Sequence, residues 1–300
     1  MNTAGYILID PAPDTQRTAV NSTIKTILLH IQNDTSLDAR IDAALSLARA
    51  TSSHLRCLHV TPIEAYVTMD SLGGVFVMDA LMTRIDDEEA ELRSRIERQL
   101  SAEDVAWDYE HVTASTVGEV VRRAALSDIV ISGREAHIGR AQSLEMSILG
   151  DVLTSIRTPL LIPGDADRRF DPFGTAVIAW NGNYEAANAV RGALGLLRMA
   201  SYVHVLQITE EENSEAFPPT GLLEFLSRHG IHAELSVIEA PVDFRDPKVV
   251  SETIVARAEA LKGSYVVMGG YSHSRAGEFL FGGVTRRLLK NCPVTLVVAH

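Results

Sequence analysis

A chain of 300 residues is about twice a common domain size, and 46% hydrophobic with 22% charged residues is the make-up of a globular chain that buries a core. A net charge of −12 disfavours nucleic acid as the main partner, since Arg122-Arg123, Arg168-Arg169 and Arg286-Arg287 are isolated pairs among acids. No apolar run approaches the roughly 20 residues of a membrane span, no basic flank opens the chain, and Cys57 and Cys292 sit among apolar neighbours as buried thiols, so a cytoplasmic protein with no membrane contact is expected.

Residues 1–23 read as an N-terminal extension in which Tyr6-Ile7-Leu8-Ile9 could add an edge strand. Thr26 to Ile31 is an apolar, β-prone run, and Ile41, Ala44, Leu45 and Ala48 then fall at helical spacing. Leu55 to Val60 is a second strand, and Pro62 to Met78 reads as a long loop or lid. A long helix follows from about Asp79 to Leu100, with Ile85, Leu92 and Ile96 inward and Glu89–Arg93 and Glu91–Arg95 paired on a solvated face. Val105, Trp107 and Tyr109 alternate as a strand, Val117 to Ala124 gives a helix, and Ile129 to Ser132 is a short strand ending in Gly133. Leu149 to Ile156 gives a last helix before the strand Leu160 to Ile162.

Gly164 to Pro172 breaks the pattern with five charged residues and one candidate core residue, Phe170. The order then restarts: strands at Thr175 to Trp180, Tyr202 to Ile208, Ala233 to Val237, Tyr265 to Met268 and Val294 to Ala299, with helical stripes between them. Ile129-Val130-Ile131-Ser132-Gly133 lies over Tyr265-Val266-Val267-Met268-Gly269 at an offset of 136, which also puts Val152-Leu153 over Leu288-Leu289. The expectation is an α/β protein of two tandem copies, residues 24–163 and 174–300 joined by a linker at 164–173, each a five-stranded, mostly parallel sheet flanked by helices in a Rossmann-like sandwich.

Ligands of such sheets bind beyond the carboxyl ends of the strands, where strand order switches. In the second copy that edge carries Gly269, Gly270, Ser272, His273, Arg275 and Gly282, with Gly283, Val284 and Thr285 opening the last helix. Glycines let backbone N–H groups approach an anion, and a helix N-terminus adds unpaired donors. The same glycines also suit tight turns and a helix cap. Histidines His30, His59, His111, His204 and His273 show no metal-ligand spacing, and His273 alone lies in the candidate loop. Hydrolase elbows, a lysine-bearing phosphate loop and a dinucleotide fingerprint are missing.

On these residues the chain resembles a tandem member of the universal stress protein family, over about residues 24–163 and 174–299. The resemblance implies the adenine nucleotide alpha hydrolase-like fold and a nucleotide site reading glycine, two residues, glycine, nine residues, then glycine followed by serine or threonine. Here Gly269 and Gly282 keep the spacing, Ser272 stands for the second glycine, Gly283 for the hydroxyl residue with Thr285 two places on, and Asn181, followed by Gly182, for the first-strand aspartate. In the first copy Gly133 matches, whereas Ala136, Met146 and Gln32 depart and Ser147 keeps the hydroxyl position, so that half is expected to be structural. The resemblance implies a non-enzymatic stress-response protein binding ATP or another adenine nucleotide with magnesium in the second copy. It also implies an intramolecular pseudo-dimer through Leu160–Ile162 and Val294–Ala299, and a homodimer of tandem chains. The alternatives are a nucleotide-independent scaffold and a slow ATP hydrolase, for which Glu278 is the one acid of the 269–285 loop and reads better as a surface residue.

Overall fold

The computed structural model of the chain describes residues 23–62, 75–134, 142–165, 168–209, 217–239, 246–270 and 283–300. The N-terminal run Tyr6 to Ile9 lies outside them, as do Ser272, His273, Arg275, Glu278, Gly282, Ala136 and residues 63–74 of the expected lid.

Strands and helices alternate twice. The first unit runs β1 (Thr26–Ile31), α1 (Leu37–Thr51), β2 (His54–Pro62), α2 (Val75–Ser101), β3 (Trp107–Ala114), α3 (Thr116–Ala124), β4 (Ile129–Ile131), α4 (Gln142–Ser155) and β5 (Leu160–Ile162). The second runs β6 (Thr175–Trp180), α5 (Tyr184–Gly192), the single turn α6 (Leu194–Leu197), β7 (Tyr202–Thr209), α7 (Pro219–Arg228), β8 (Ala233–Glu239), α8 (Pro247–Ala260), β9 (Gly263–Gly269), α9 (Gly283–Asn291) and β10 (Thr295–Ala299). Starts follow local chemistry. Ser115 caps α3 by accepting from the Gly118 N–H, and Asp246 caps α8 ahead of Pro247, whose fixed φ suits a first helical position.

All ten strands among the described residues join one sheet in the order β3-β2-β1-β4-β5-β10-β9-β6-β7-β8. Every pairing within a unit is parallel. An antiparallel ladder joins the units, pairing Leu296 with Ile162, Val297 with Leu161 and Val298 with Leu160. All six of these side chains are fully buried. The strands read as unbroken apolar runs because helices cover both faces. One face carries Ile27, Leu29, Ile31, Ile178, Val267 and Val297, the other Leu28, Val130, Val177, Val266 and Val298, so each core layer runs across both units.

Two sequence expectations need correction. Helix α2 begins at Val75, inside the stretch assigned to a loop. Its outer ion pairs also differ: Arg93 bonds Glu97 at 2.7 Å and Arg95 bonds Asp38 of α1 at 2.6 Å. Glu89 faces the sheet instead, because Ile85, Glu89, Leu92 and Ile96 share one helical stripe and Leu92 and Ile96 are buried. The segment between the units, read as a linker with Phe170 as its one candidate core residue, is pinned to the second unit. Phe170 is buried edge-to-face on Tyr265 at 5.7 Å, the Asp171 N–H donates to the Ser264 hydroxyl at 2.8 Å, and Arg168 meets Glu259 at 2.7 Å.

Candidate functional site

Strand order reverses between β6 and β9 in the second unit, so the crevice beyond their carboxyl ends is the position where such sheets take ligands. β6 ends at Trp180, and Asn181 accepts the Asn183 N–H through its Oδ1 at 3.3 Å. That contact spends the carbonyl of the exposed amide on a turn and leaves its NH₂ outward. Gly182 sits at φ +74°, where an L side chain would be strained. Asn183 caps α5 by accepting the Ala186 N–H at 2.9 Å. The chain at Phe217 bridges back over this turn: its N–H donates to Gly182 O at 2.7 Å, and its carbonyl accepts the Trp180 indole N–H at 3.2 Å.

From β9 come Gly269 and Gly270. A Cβ on Gly269 would stand 2.5 Å from Ala186 N and 2.6 Å from the Glu185 carbonyl carbon, so the first turn of α5 occupies the space that glycine leaves. Gly270 donates to Ala299 O at 2.8 Å, and a Cβ there would press Val298 at 2.9 Å and Leu153 of the first unit at 3.0 Å. Gly283 is fixed by Pro247, 2.5 Å from its would-be Cβ. Val284 is half-buried and Thr285 is buried on the inner side of α9. The described part of the set thus brings Asn181, Gly182, Gly269 and Gly270 to one edge, and three of the glycines answer to packing. One residue missed in sequence is Glu185, a buried acid in the first turn of α5 beside Gly269. Its place in a capped first turn, after Asn183, was the available signal.

The matching edge of the first unit is filled from within. Arg40 on α1 is fully buried, and its guanidinium bonds Asp34 at 2.8 Å, the Ser36 hydroxyl at 3.0 Å and Gln32 O at 2.5 Å. A Cβ on Gly133 would overlap that guanidinium. Glycine is therefore required there to admit Arg40, and a protein cation stands where an anionic ligand would approach. Met146 and Ser147 lie on α4, whose first turns have undescribed side chains.

Beside this lies a polar cluster that sequence reading treated as separate histidines. The Thr61 hydroxyl donates to Glu89 and lies 2.9 Å from His111 Nε2, which is 3.3 Å from Glu89. His59 and His111 stack at 4.9 Å, and His59 Nδ1 meets the Tyr109 hydroxyl at 3.1 Å. Burial, then His111, lowers His59 to about 4; burial, then Arg40, lowers His30 to about 4. Cys57 is pushed up to about 12 by burial, and burial also raises Cys292, so neither is a poised thiolate. No group of three metal-ligating side chains gathers among the described residues, and no described helix is long and apolar enough to cross a membrane.

The universal stress protein family model matches residues 172–300. No curated protein matches the sequence. Among solved structures, a universal stress protein from Archaeoglobus fulgidus DSM 4304 superposes with a TM-score of 0.68 at 13% identity, covering 91% of this chain and 95% of that one. A candidate universal stress protein from Pseudomonas aeruginosa UCBPP-PA14 gives 0.55 at 16% identity, with 92% and 93% covered. A functionally unknown protein from Pseudomonas aeruginosa PAO1 gives 0.54 at 16%, with 92% of each chain covered. At these identities the likeness is one of fold, a mostly parallel α/β sheet in two units of the adenine nucleotide alpha hydrolase-like type. Residues 172–300 are a universal stress protein domain, and the unit ahead of it repeats the same order of strands.

Proposed function

We propose that the chain is a non-enzymatic stress-response protein whose second unit binds an adenine nucleotide, ATP or AMP, at the crevice between β6 and β9. The observation that carries this reading is topological: the loops bearing Asn181-Gly182 and Gly269-Gly270 leave adjacent strands at the one place in that unit where strand order reverses. The Asn181 amide is exposed and keeps two donors for a ribose or base. The buried Glu185 carboxylate nearby would face a bound magnesium more readily than a bare phosphate, which fits a magnesium–nucleotide complex. The antiparallel β5–β10 ladder supports a pseudo-dimer of the two units, and pairing of two such chains in the cytoplasm completes the proposal.

Calorimetric titration of magnesium-ATP into the wild type and Asn181→Leu tests it. Saturable binding near one nucleotide per chain, weakened at least about tenfold in the variant, is expected. A wild type silent up to millimolar nucleotide would reject it. Phosphate release that depends on magnesium and disappears in Glu278→Gln would make the protein a hydrolase. A nucleotide-independent scaffold is the second reading, and one observation favours it: Gly269 is required by the α5 backbone, and Gly270 and Gly283 are closely packed, without any ligand.

A further inference from the structure

The first unit keeps a cavity of about 250 Å³ at its carboxyl edge, between the ends of β1 and β2 and under α2. That is roughly the liquid volume of eight waters. His30, His59, Thr61 and Glu89 are its inner polar wall, and Ile85, Leu92 and Ile148 its apolar one. Glu88, more exposed and paired with Arg84 at 2.8 Å, also lines it.

His30 is the unexplained member. It is 6% exposed, lines the cavity and has no hydrogen-bond partner among the described residues. Its ring opens on the cavity, where a ligand can reach it. Its neutral imidazole offers a lone pair at neutral pH. His59 has one ring nitrogen near Tyr109 and the other uncommitted among the described residues. Glu89 adds a carboxylate held by Thr61 and His111. No lysine or arginine lines the cavity among the described residues, and the nearby Arg40 is committed to Asp34. Acceptors and negative charge without a free cation repel phosphate and suit a positively charged donor.

We propose that this cavity binds a small organic amine in its ammonium form, its N–H donors met by Glu89 and His30 and its short apolar chain by Leu92 and Ile148. The occupant, its charge and its unit all differ from the nucleotide reading above, so the two stand or fall separately.

The probe is 1,4-diaminobutane, titrated into the full chain by calorimetry at low salt, with 1,4-butanediol as the uncharged control. The wild type is expected to bind one diamine saturably. Glu89→Gln, which keeps the shape of the side chain, and His30→Leu, which removes the lone pair, should each weaken it at least about tenfold, with melting temperatures showing both variants folded. Asn181→Leu should leave diamine binding unchanged. Diamine heats absent up to tens of millimolar, equal binding to all three proteins, or diol binding as tight as diamine binding would each overturn the proposal. An NMR titration in which the His30 imidazole resonances do not move at saturating diamine would do the same.

Discussion

Replacing His30 with leucine is expected to make the protein more resistant to acid. In the folded chain burial, and behind it the charge of Arg40, holds His30 at about 4. Released by unfolding it titrates near 6.5. Between those values the unfolded chain binds the extra proton, so stability rises with pH across that window and is lost as pH falls through about 6.5 toward about 4. A gap of about 2.5 pH units sets a ceiling of about 3.4 kcal/mol, of which about 2.5 kcal/mol is gone by pH 4.5. His59, lowered to about 4 by burial and then by His111, acts in the same direction and size. Carboxylates titrate mostly below this window, so the two histidines dominate it. Urea unfolding at pH 7, 5.5 and 4.5 measures the effect. Wild type should lose roughly 5 kcal/mol between the extremes, and His30→Leu about half of that, with the two proteins within about 1 kcal/mol at pH 7. Parallel pH curves for the two proteins would refute the reasoning, because they would mean that His30 takes its proton as readily folded as unfolded.

Arg40→Ala should destabilise the chain by about 3–5 kcal/mol in urea titration, since it strands the Asp34 carboxylate and empties the space beside Gly133. Gly269→Val should lower the melting temperature markedly, its Cβ meeting the α5 backbone at 2.5 Å; unchanged stability would show that α5 can move away. Leu161→Asp should cost more than about 4 kcal/mol, placing a charge opposite Val297 in a fully buried ladder, and calorimetry should show one broadened or lost transition.

The alternation of strands and helices was legible because every sheet position except the edge strands is covered on both faces, so the strands spell themselves as unbroken apolar runs such as Ile27-Leu28-Leu29 and Tyr265-Val266-Val267. The repeat offset was legible for the same reason. The start of α2 was not, because Gly73-Gly74 directly ahead of it reads as a loop. Glu89 misled because its spacing to Arg93 satisfies a surface-pair rule, while its spacing to Leu92 and Ile96 satisfies a core-stripe rule; only the presence of Thr61 and His111 on the facing strands decides between them. The glycines of the second unit were visible in sequence, yet what each one faces is tertiary information: α5 for Gly269, the other unit for Gly270, Pro247 for Gly283. Arg40 gave no signal at all, since a lone arginine on an amphipathic helix ordinarily points to water.

The antiparallel ladder between β5 and β10 has a consequence for how the two halves can diverge. Because the units run in opposite directions across it, their ligand edges open on opposite rims of a single slab. Because both partners of the ladder lie on one chain, their encounter is intramolecular and dilution cannot part them. The residues that keep the first unit in place, Leu160, Leu161 and Ile162, are not the residues that would bind a ligand. Its rim was therefore free to fill with Arg40 and to gather histidines and acids around a new cavity, without any loss of its grip on the second unit.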